Sequence, residues 1–305
     1  MTGDEALTQA FEAERPRLLR VAYATVGSLA DAEDCVQEAW LRLRRHQDRQ
    51  SIQDLGAWLT TTVGRLALDS LGSARARRER YVGPWLPEPL VEDLDARDPA
   101  DQVTLDESVS MALLIVLERL SAPERTAFLL HDVFSMPFEE VARVVGRSPA
   151  AVRQLASRAR AHVEQGRPRF PPTQREQREV ITAFAAASQA GDLDRLIALL
   201  DPDVVWRGDG GGKVTAAPLE RGAANVAQRL LALADRPPLS ARMALVNGAA
   251  GLVLRDADGV LTVVSFTIDA GRIVAIDAVR NPDKLSRLAR PRLARPGYHP
   301  FMPFT

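Results

Sequence analysis

Two all-α modules followed by an α+β module are predicted from three observations. The length of 305 residues exceeds one average domain, apolar residues recur at helical spacing through the first half, and short β-rich runs fill the last third. From Ala6 to Arg45 the apolar series is Leu7, Phe11, Leu18, Leu19 and Ala22, then Val36, Ala39, Trp40 and Leu43, with a break at Gly27-Ser28. That spacing predicts a helical hairpin. After a polar loop from Gln47 to Gln53, the series Leu55, Trp58, Leu59, Val63, Leu66, Leu68 and Leu71 predicts a further helix that runs into the Arg-rich stretch Arg75 to Arg80. The second helical module starts near Asp106 and continues through Met111, Leu114, Val116, Leu117 and Leu120 to Ser121-Ala122-Pro123, an N-cap with proline in the first turn. Helices Pro123 to Asp132, Phe138 to Val145 and Pro149 to about Val163 follow.

Beyond the Pro-rich Arg167 to Pro172, one long helix from Glu176 to Leu200 is expected. After it come strands at Val204 to Arg207, Met243 to Val246, Leu252 to Arg255, Val260 to Ile268 and Arg272 to Val279. Asp258-Gly259 and Asp269-Ala270-Gly271 mark hairpin turns, so a helix against a bent antiparallel sheet is the expected packing. The resulting boundaries are 1–80, a linker at 81–107, 108–168, 174–288, and a Pro-rich tail at 289–305.

Charge is segregated beneath a formal net value of −1. Residues 42–80 carry nine Arg against four acids, and residues 143–169 seven Arg against one. Two such patches point to two polyanion contacts. Between them, residues 88–107 hold eight acids and one Arg, an acidic linker with Pro89 and Pro99. No run of eighteen apolar residues and no charged-then-apolar leader occurs, so neither a membrane span nor a secretory signal is expected and the chain reads as cytoplasmic. Cys35 is the single cysteine, and His46, His131, His162 and His299 are too scattered for a local ligand pair. Neither a metal nor a cofactor is expected. Cys35 reads as a small buried apolar residue rather than a reactive thiol.

The segment Phe138 to Arg160 has the chemistry of a helix-turn-helix. Its first helix is expected to bury Val141 and Val145, Gly146 supplies the tight turn, and Ser148-Pro149 is an N-cap with proline at the first helical position. With Val152 and Ala159 inward, Arg153, Gln154, Ser157 and Arg160 project outward, with Arg147 in the turn beside them. These residue types bond base edges and phosphates, and such a face fits a major groove. Arg158 is expected to lie against the module's own backbone.

The stretch LSAPERTAFLLHDVFSMPFEEVARVVGRSPAAVRQLASRARAHV resembles region 4 of the extracytoplasmic-function sigma factors. DAEDCVQEAWLRL, at Asp31 to Leu43, resembles the region 2 helix of that family, and AWLTTTVGRLALDSLGSARARRER its promoter-melting segment. The resemblance implies that region 4 reads a minus-35 element. It implies that Asp34, Gln37, Glu38 and Leu41 form a docking stripe for core RNA polymerase, through the β′ clamp helices, with the β flap as a second contact. It implies minus-10 contacts by region 2. There, holding a single strand needs arginines along the phosphates and a pocket for a flipped base. Arg65, Arg75, Arg77 and Arg78 suit the first need, and Arg49, Gln50 and Ser51 the second. Trp58 fits core packing better than stacking.

Residues 174–285 resemble the SnoaL-like branch of the cone fold shared by nuclear transport factor two and ketosteroid isomerase. GDGGGK, from Gly208 to Lys213, and NPDKL, from Asn281 to Leu285, resemble paired motifs of the sigma subfamily that carries this fused domain, as does WLPEP at Trp85 to Pro89. The resemblance implies an intramolecular contact with the sigma regions or linker, made by Asp209, Gly210, Gly211, Gly212, Lys213, Asn281, Pro282, Asp283, Lys284 and Leu285, in a chain that is monomeric when free. A phosphate-binding loop is excluded, because Arg207 and Val214 stand where it needs Gly and Ser or Thr. The plainer alternative makes Gly208 to Lys213 a flexible loop, with Asp209 and Lys213 at the mouth of the cone. Two other functions compete with promoter-directed initiation: a helix-turn-helix regulator acting without polymerase, and a DNA-tethered isomerase using Asp209 or Asp277 as base.

Overall fold

The computed structural model describes residues 3–46, 52–78, 81–92, 109–166, 168–234 and 240–289. Of residues 73–78 it describes the backbone. The chain forms two compact units, one of residues 1–80, 99–108 and 113–166, the other of residues 81–98, 109–112 and 167–305. Among the described residues, no helix is long and apolar enough to cross a membrane.

The first unit opens with α1 (Gly3–Val26), α2 (Leu29–Arg45) and α3 (Leu55–Arg78). The expected break at Gly27-Ser28 has a double cause: Gly27 is left-handed at φ 73°, and Ser28 caps α2 by accepting from the Asp31 N–H at 3.3 Å. Leu18 and Ala22 of α1, Val36, Ala39 and Leu43 of α2, and Leu59, Val63 and Ala67 of α3 are all buried, while Val21 of α1 joins the apolar cluster of α6 and α7. Each large aliphatic side chain among them contributes roughly 1.5–3 kcal/mol. Cys35 is buried too, and burial first, then Asp31, Asp34 and Asp69, push its thiol up to about 11 from 9.0. Its neutral form therefore stabilises the fold fully below pH 9, and that contribution is lost as pH rises to about 11. Iodoacetamide should alkylate Cys35 about a hundredfold more slowly in the native protein than in urea, since the thiolate is the nucleophile.

The same unit continues with α4 (Met111–Leu117) from Leu113 on, α5 (Ala122–Phe128), a π-helical turn (Leu129–Val133), α6 (Phe138–Val145) and α7 (Pro149–Gly166). Ser121 does cap α5, and reciprocally with Glu124, whose Oε2 accepts from the Ser121 N–H at 3.2 Å. The helix expected from Pro123 to Asp132 is not uniform. Its last turn widens so that the Phe134 N–H bonds Leu129 O at 2.9 Å, with Leu129 and Leu130 both fully buried. In α6 the buried pair is Val141 and Val144; Val145, expected inside, is only partly covered. Gly146 ends α6 at φ 69°.

The second unit contains β1 (Val91–Glu92), α8 (Gln174–Ala190), α9 (Leu193–Leu199), β2 (Leu200–Asp209), β3 (Glu220–Arg221) and α10 (Ala223–Ala234), then β4 (Ser240–Val246), β5 (Ala249–Arg255), β6 (Leu261–Asp269), β7 (Arg272–Val279) and α11 (Ser286–Ala289). The single helix expected from Glu176 to Leu200 is two. Left-handed Gly191 closes α8, and the Asp192 carboxylate starts α9 by accepting from the Arg195 N–H at 2.9 Å. The sheet runs in the order β1-β4-β5-β6-β7-β2-β3 and is mixed, which corrects the all-antiparallel expectation: β2 and β7 pair in parallel. Parallel neighbours need a long crossover, here supplied by β3, α10 and the β4–β6 meander. Ile181 and Phe184 of α8 pack on Trp206, Phe266 and Ile276 of the sheet, with the Phe184 and Phe266 rings 5.2 Å apart and edge-on. The helices and the bent sheet thus enclose an apolar interior, the packing expected of a cone fold. Residues 81–92 lie along the unit as a strap, and its end, β1, extends the sheet by pairing with β4.

Candidate functional site

The helix-turn-helix geometry follows the local chemistry closely. The Ala151 N–H donates to Ser148 Oγ at 3.3 Å. Val152, Leu155, Ala156 and Ala159 are buried, which leaves Arg153, Gln154, Ser157 and Arg160 on one exposed face of α7, with Arg147 exposed in the turn. Three arginines of α7 are held by acids of neighbouring elements. Arg153 reaches Glu139 at 3.1 Å and stands 5.2 Å over the Phe138 ring, and Arg160 Nε donates to Asp132 at 3.0 Å. Arg158 lies 3.0 Å from Glu124, toward α5, and the hydroxyl of Ser121 first, with Arg158 after it, holds the Glu124 carboxyl below its ordinary range. Exposed pairs of this kind are worth at most about 1 kcal/mol, so a phosphate can displace them.

On α2, Asp34 and Gln37 are exposed and Glu38 and Leu41 half-buried, on the side opposite Ala32, Cys35, Val36, Ala39 and Leu43. They form one continuous stripe at helical spacing. Arg65 is exposed on α3, yet its guanidinium is engaged: Nε and Nη2 donate to Arg143 O at 3.1 and 2.8 Å. Trp58 is half-buried, with its ring 5.6 Å from that of His46. Arg49, Gln50 and Ser51, and the side chains of Arg75, Arg77 and Arg78, lie outside the described residues.

The motifs of the second unit converge on one carboxylate. Asp209 ends β2 and is fully buried. Its Oδ1 accepts from the Tyr81 hydroxyl at 2.5 Å and the Gly211 N–H at 3.1 Å; its Oδ2 accepts from the Leu86 N–H at 2.9 Å and from Lys284 Nζ at 2.7 Å. Asn281 Nδ2 donates to the Tyr81 hydroxyl at 2.7 Å, while its Oδ1 accepts from the Asp283 N–H at 3.0 Å. Lys284 also donates to Leu86 O and stands 4.2 Å over the Trp85 ring. Burial first, then the bond to Asp209, raises the Tyr81 phenol well above its usual range.

Glycine is required here rather than merely tolerated. A Cβ on Gly211, at φ 62°, would lie 2.3 Å from Asn281 Nδ2, and one on Gly210 2.1 Å from Val214 O. Gly212 and Pro282 are exposed, Lys213 pairs with Asp283 at the surface, and Leu285 is buried. Tyr81 and Leu86 are the residues missed in sequence. Their only signal was the apolar, Pro-containing WLPEP set against an acidic stretch.

Neither candidate base faces the apolar interior of the cone. Asp209 lies beneath the strap instead of at the mouth, with every lone-pair direction occupied by a donor. Asp277 is buried on the sheet face opposite Ile276 and Ala278 and pairs with Arg207, whose Nη2 lies 3.0 Å from Oδ2. Burial raises its carboxyl, and Arg207 works against that rise.

A helical module with a stripe of polar residues on α2, a helix-turn-helix whose second helix exposes arginines, and a fused α+β domain point to a DNA-binding factor of the transcription machinery. Residues 10–77 match the family described as Sigma-70 region 2, and residues 110–163 that described as Sigma-70, region 4. The ECF RNA polymerase sigma factor SigJ of Mycobacterium tuberculosis is 45% identical over 90% of this chain and 92% of that one. A probable ECF RNA polymerase sigma factor of the same species, SigI, is 35% identical over 94% of this chain and 98% of its own. The crystal structure of M. tuberculosis SigJ superposes with a TM-score of 0.77 at 42% identity, covering 93% of this chain and 99% of that one. The chain belongs to the extracytoplasmic-function family of RNA polymerase sigma factors, and its function is promoter-specific transcription initiation.

Proposed function

We propose that region 2 holds the minus-10 element and docks on polymerase through Asp34, Gln37, Glu38 and Leu41, that region 4 reads the minus-35 element through α7, and that the cone domain modulates both in cis. The observation that carries the cis role is the Asp209 cluster. Two of its four donors, the Tyr81 hydroxyl and the Leu86 N–H, belong to the strap, and in sequence the strap begins the connection between region 2 and region 4. A domain that grips this connection sets how far the two DNA-reading modules can separate. A regulator acting without polymerase is disfavoured by family membership, and an isomerase by the occupied carboxylates Asp209 and Asp277. Initiation on this reading takes place wherever the polymerase works, in the cytoplasm, and asks no catalytic chemistry of the chain.

Run-off transcription with purified core polymerase tests the reading. The full chain should yield a promoter-specific transcript, and Lys284→Met should change its amount while leaving holoenzyme formation intact. Wild-type output from Lys284→Met would reject the cis role, and no specific transcript from any form would reject the whole.

A further inference from the structure

We propose that His131 and Phe138 form a stacked platform that holds the Arg153 guanidinium for base reading, a positioning role that rests on Arg153 as a minus-35 contact. Two departures from regular backbone lead to this platform. The chain leaves α5 through the π-helical turn Leu129–Val133, and two residues later Ser135 takes a left-handed φ of 55° although it is not glycine. Backbone of either kind is uncommon and costs energy, and it collects where function needs a side chain in a set place. Here both lead to one ring. His131 is stacked on Phe138, the first residue of α6, with centroids 3.7 Å apart and planes 26° from parallel. Its Nδ1 lies 3.0 Å from Met136 O, and since a carbonyl only accepts, Nδ1 carries the proton and donates. Met136 is buried and its N–H bonds Leu130 O at 2.8 Å, so the imidazole is tied to a segment that is itself fixed. Phe138 packs on the apolar cluster that holds Leu130, Met136, Val141 and Val152.

Arg153 Cζ stands 5.2 Å over the Phe138 ring, inside the reach of about 6 Å at which a ring attracts a cation. A ring holds a guanidinium without using any of its N–H donors. Glu139 does use one: its Oε1 accepts from Arg153 Nη2 at 3.1 Å. A guanine edge needs two of those donors side by side, on O6 and N7. When α7 meets its base pair, the exposed Glu139 carboxylate yields and the ring contact stays. The ring therefore bears on discrimination more than on affinity. An unsupported arginine facing the wrong base can swing to a phosphate and recover part of the lost contact. One held on Phe138 cannot, so the mismatch costs the whole contact.

The test titrates holoenzyme, made from core polymerase and the full chain, with promoter duplexes altered one base pair at a time across the minus-35 element. The pair at which Arg153→Ala loses discrimination is the one that Arg153 reads. Phe138→Leu keeps an apolar side chain on the cluster and removes the ring; it should cut discrimination at that pair by about three- to tenfold. Phe138→Tyr, which keeps a ring, should retain it. In an Arg153→Ala background Phe138→Leu should cost no further discrimination, because the ring acts only through that guanidinium. Thermal unfolding monitors the fold, and if leucine unsettles it, His131→Ala at a half-exposed position should give a smaller loss at the same pair. Full discrimination in the variants that fold, or losses that add in the double variant, would overturn the platform. Full discrimination in Arg153→Ala alone would reject the minus-35 reading beneath the platform, and the platform with it.

Discussion

Asp209→Ala should free residues 81–92 from the C-terminal domain and change transcription more than any other single substitution there. The alanine leaves the Tyr81 hydroxyl and the Gly211 and Leu86 N–H groups without this acceptor, and it removes the carboxylate counter-charge of the Lys284 ammonium, whose side chain is 12% exposed. Removing one partner of a buried ion pair typically costs about 3–5 kcal/mol, most of it the uncompensated charge. Loss of neutral partners adds to that cost. The checking measurement is amide hydrogen exchange. The Leu86 N–H, bonded to Asp209, should lose protection, and the Leu90 N–H, bonded to Asn247 Oδ1, should follow because the strap is held as one piece. Asp209→Asn keeps an acceptor and removes the charge, so it should fall between wild type and alanine. Unchanged protection at Leu86 in the alanine variant would show that the strap is held by other means.

Arg153→Ala should cost minus-35 binding about 1–3 kcal/mol, five- to 150-fold, and relax discrimination at the base pair it reads. Its partners in the free protein do not confound that reading. Arg153 and Glu139 have side chains 54% and 66% exposed, and breaking a pair so exposed leaves folding nearly unaffected. Arg147→Ala should behave differently, weakening all duplexes alike and lowering the salt slope by about one, as a phosphate contact does. Titrations of both variants against matched and mismatched duplexes at two salt concentrations separate the roles. Equal losses of discrimination from both would exclude α7 as the sequence-reading element.

The reading helix could be seen in sequence because everything that builds it is local. Gly146, Ser148 and Pro149 set the turn within four residues, and the 3.6-residue period sorts Val152 and Ala159 from Arg153 and Arg160. The slip from Val144 to Val145 shows the limit: on an eight-residue helix, one position of phase is decided by what packs against it. The clasp was visible only as motifs. Tyr81 and Asp209 stand 128 residues apart, Lys284 and Asp209 75 apart, and no periodicity relates them. Asp209 went to the cone mouth in the plainer alternative because nothing in the sequence announces the parallel pairing of β2 with β7 or the strap that covers their ends. Arg65 was legible as a cation, but its acceptor, a helix-terminal carbonyl, has no side-chain signature. The strands β1 and β3 are two residues each, too short for any period, whereas the Ala- and Leu-rich α10 carried a helical signal that went unread.

The strap's pairing with the sheet has a colloidal consequence. With β1 in place, the two-residue register Val91↔Val246 and Glu92↔Leu245 covers one end of the β4 rim. Lifting the strap bares a row of backbone donors and acceptors on β4, a template for any extended segment nearby, including the same segment of a second copy. A molecule whose strap is lifted is therefore exposed to strand exchange and concentration-dependent self-association.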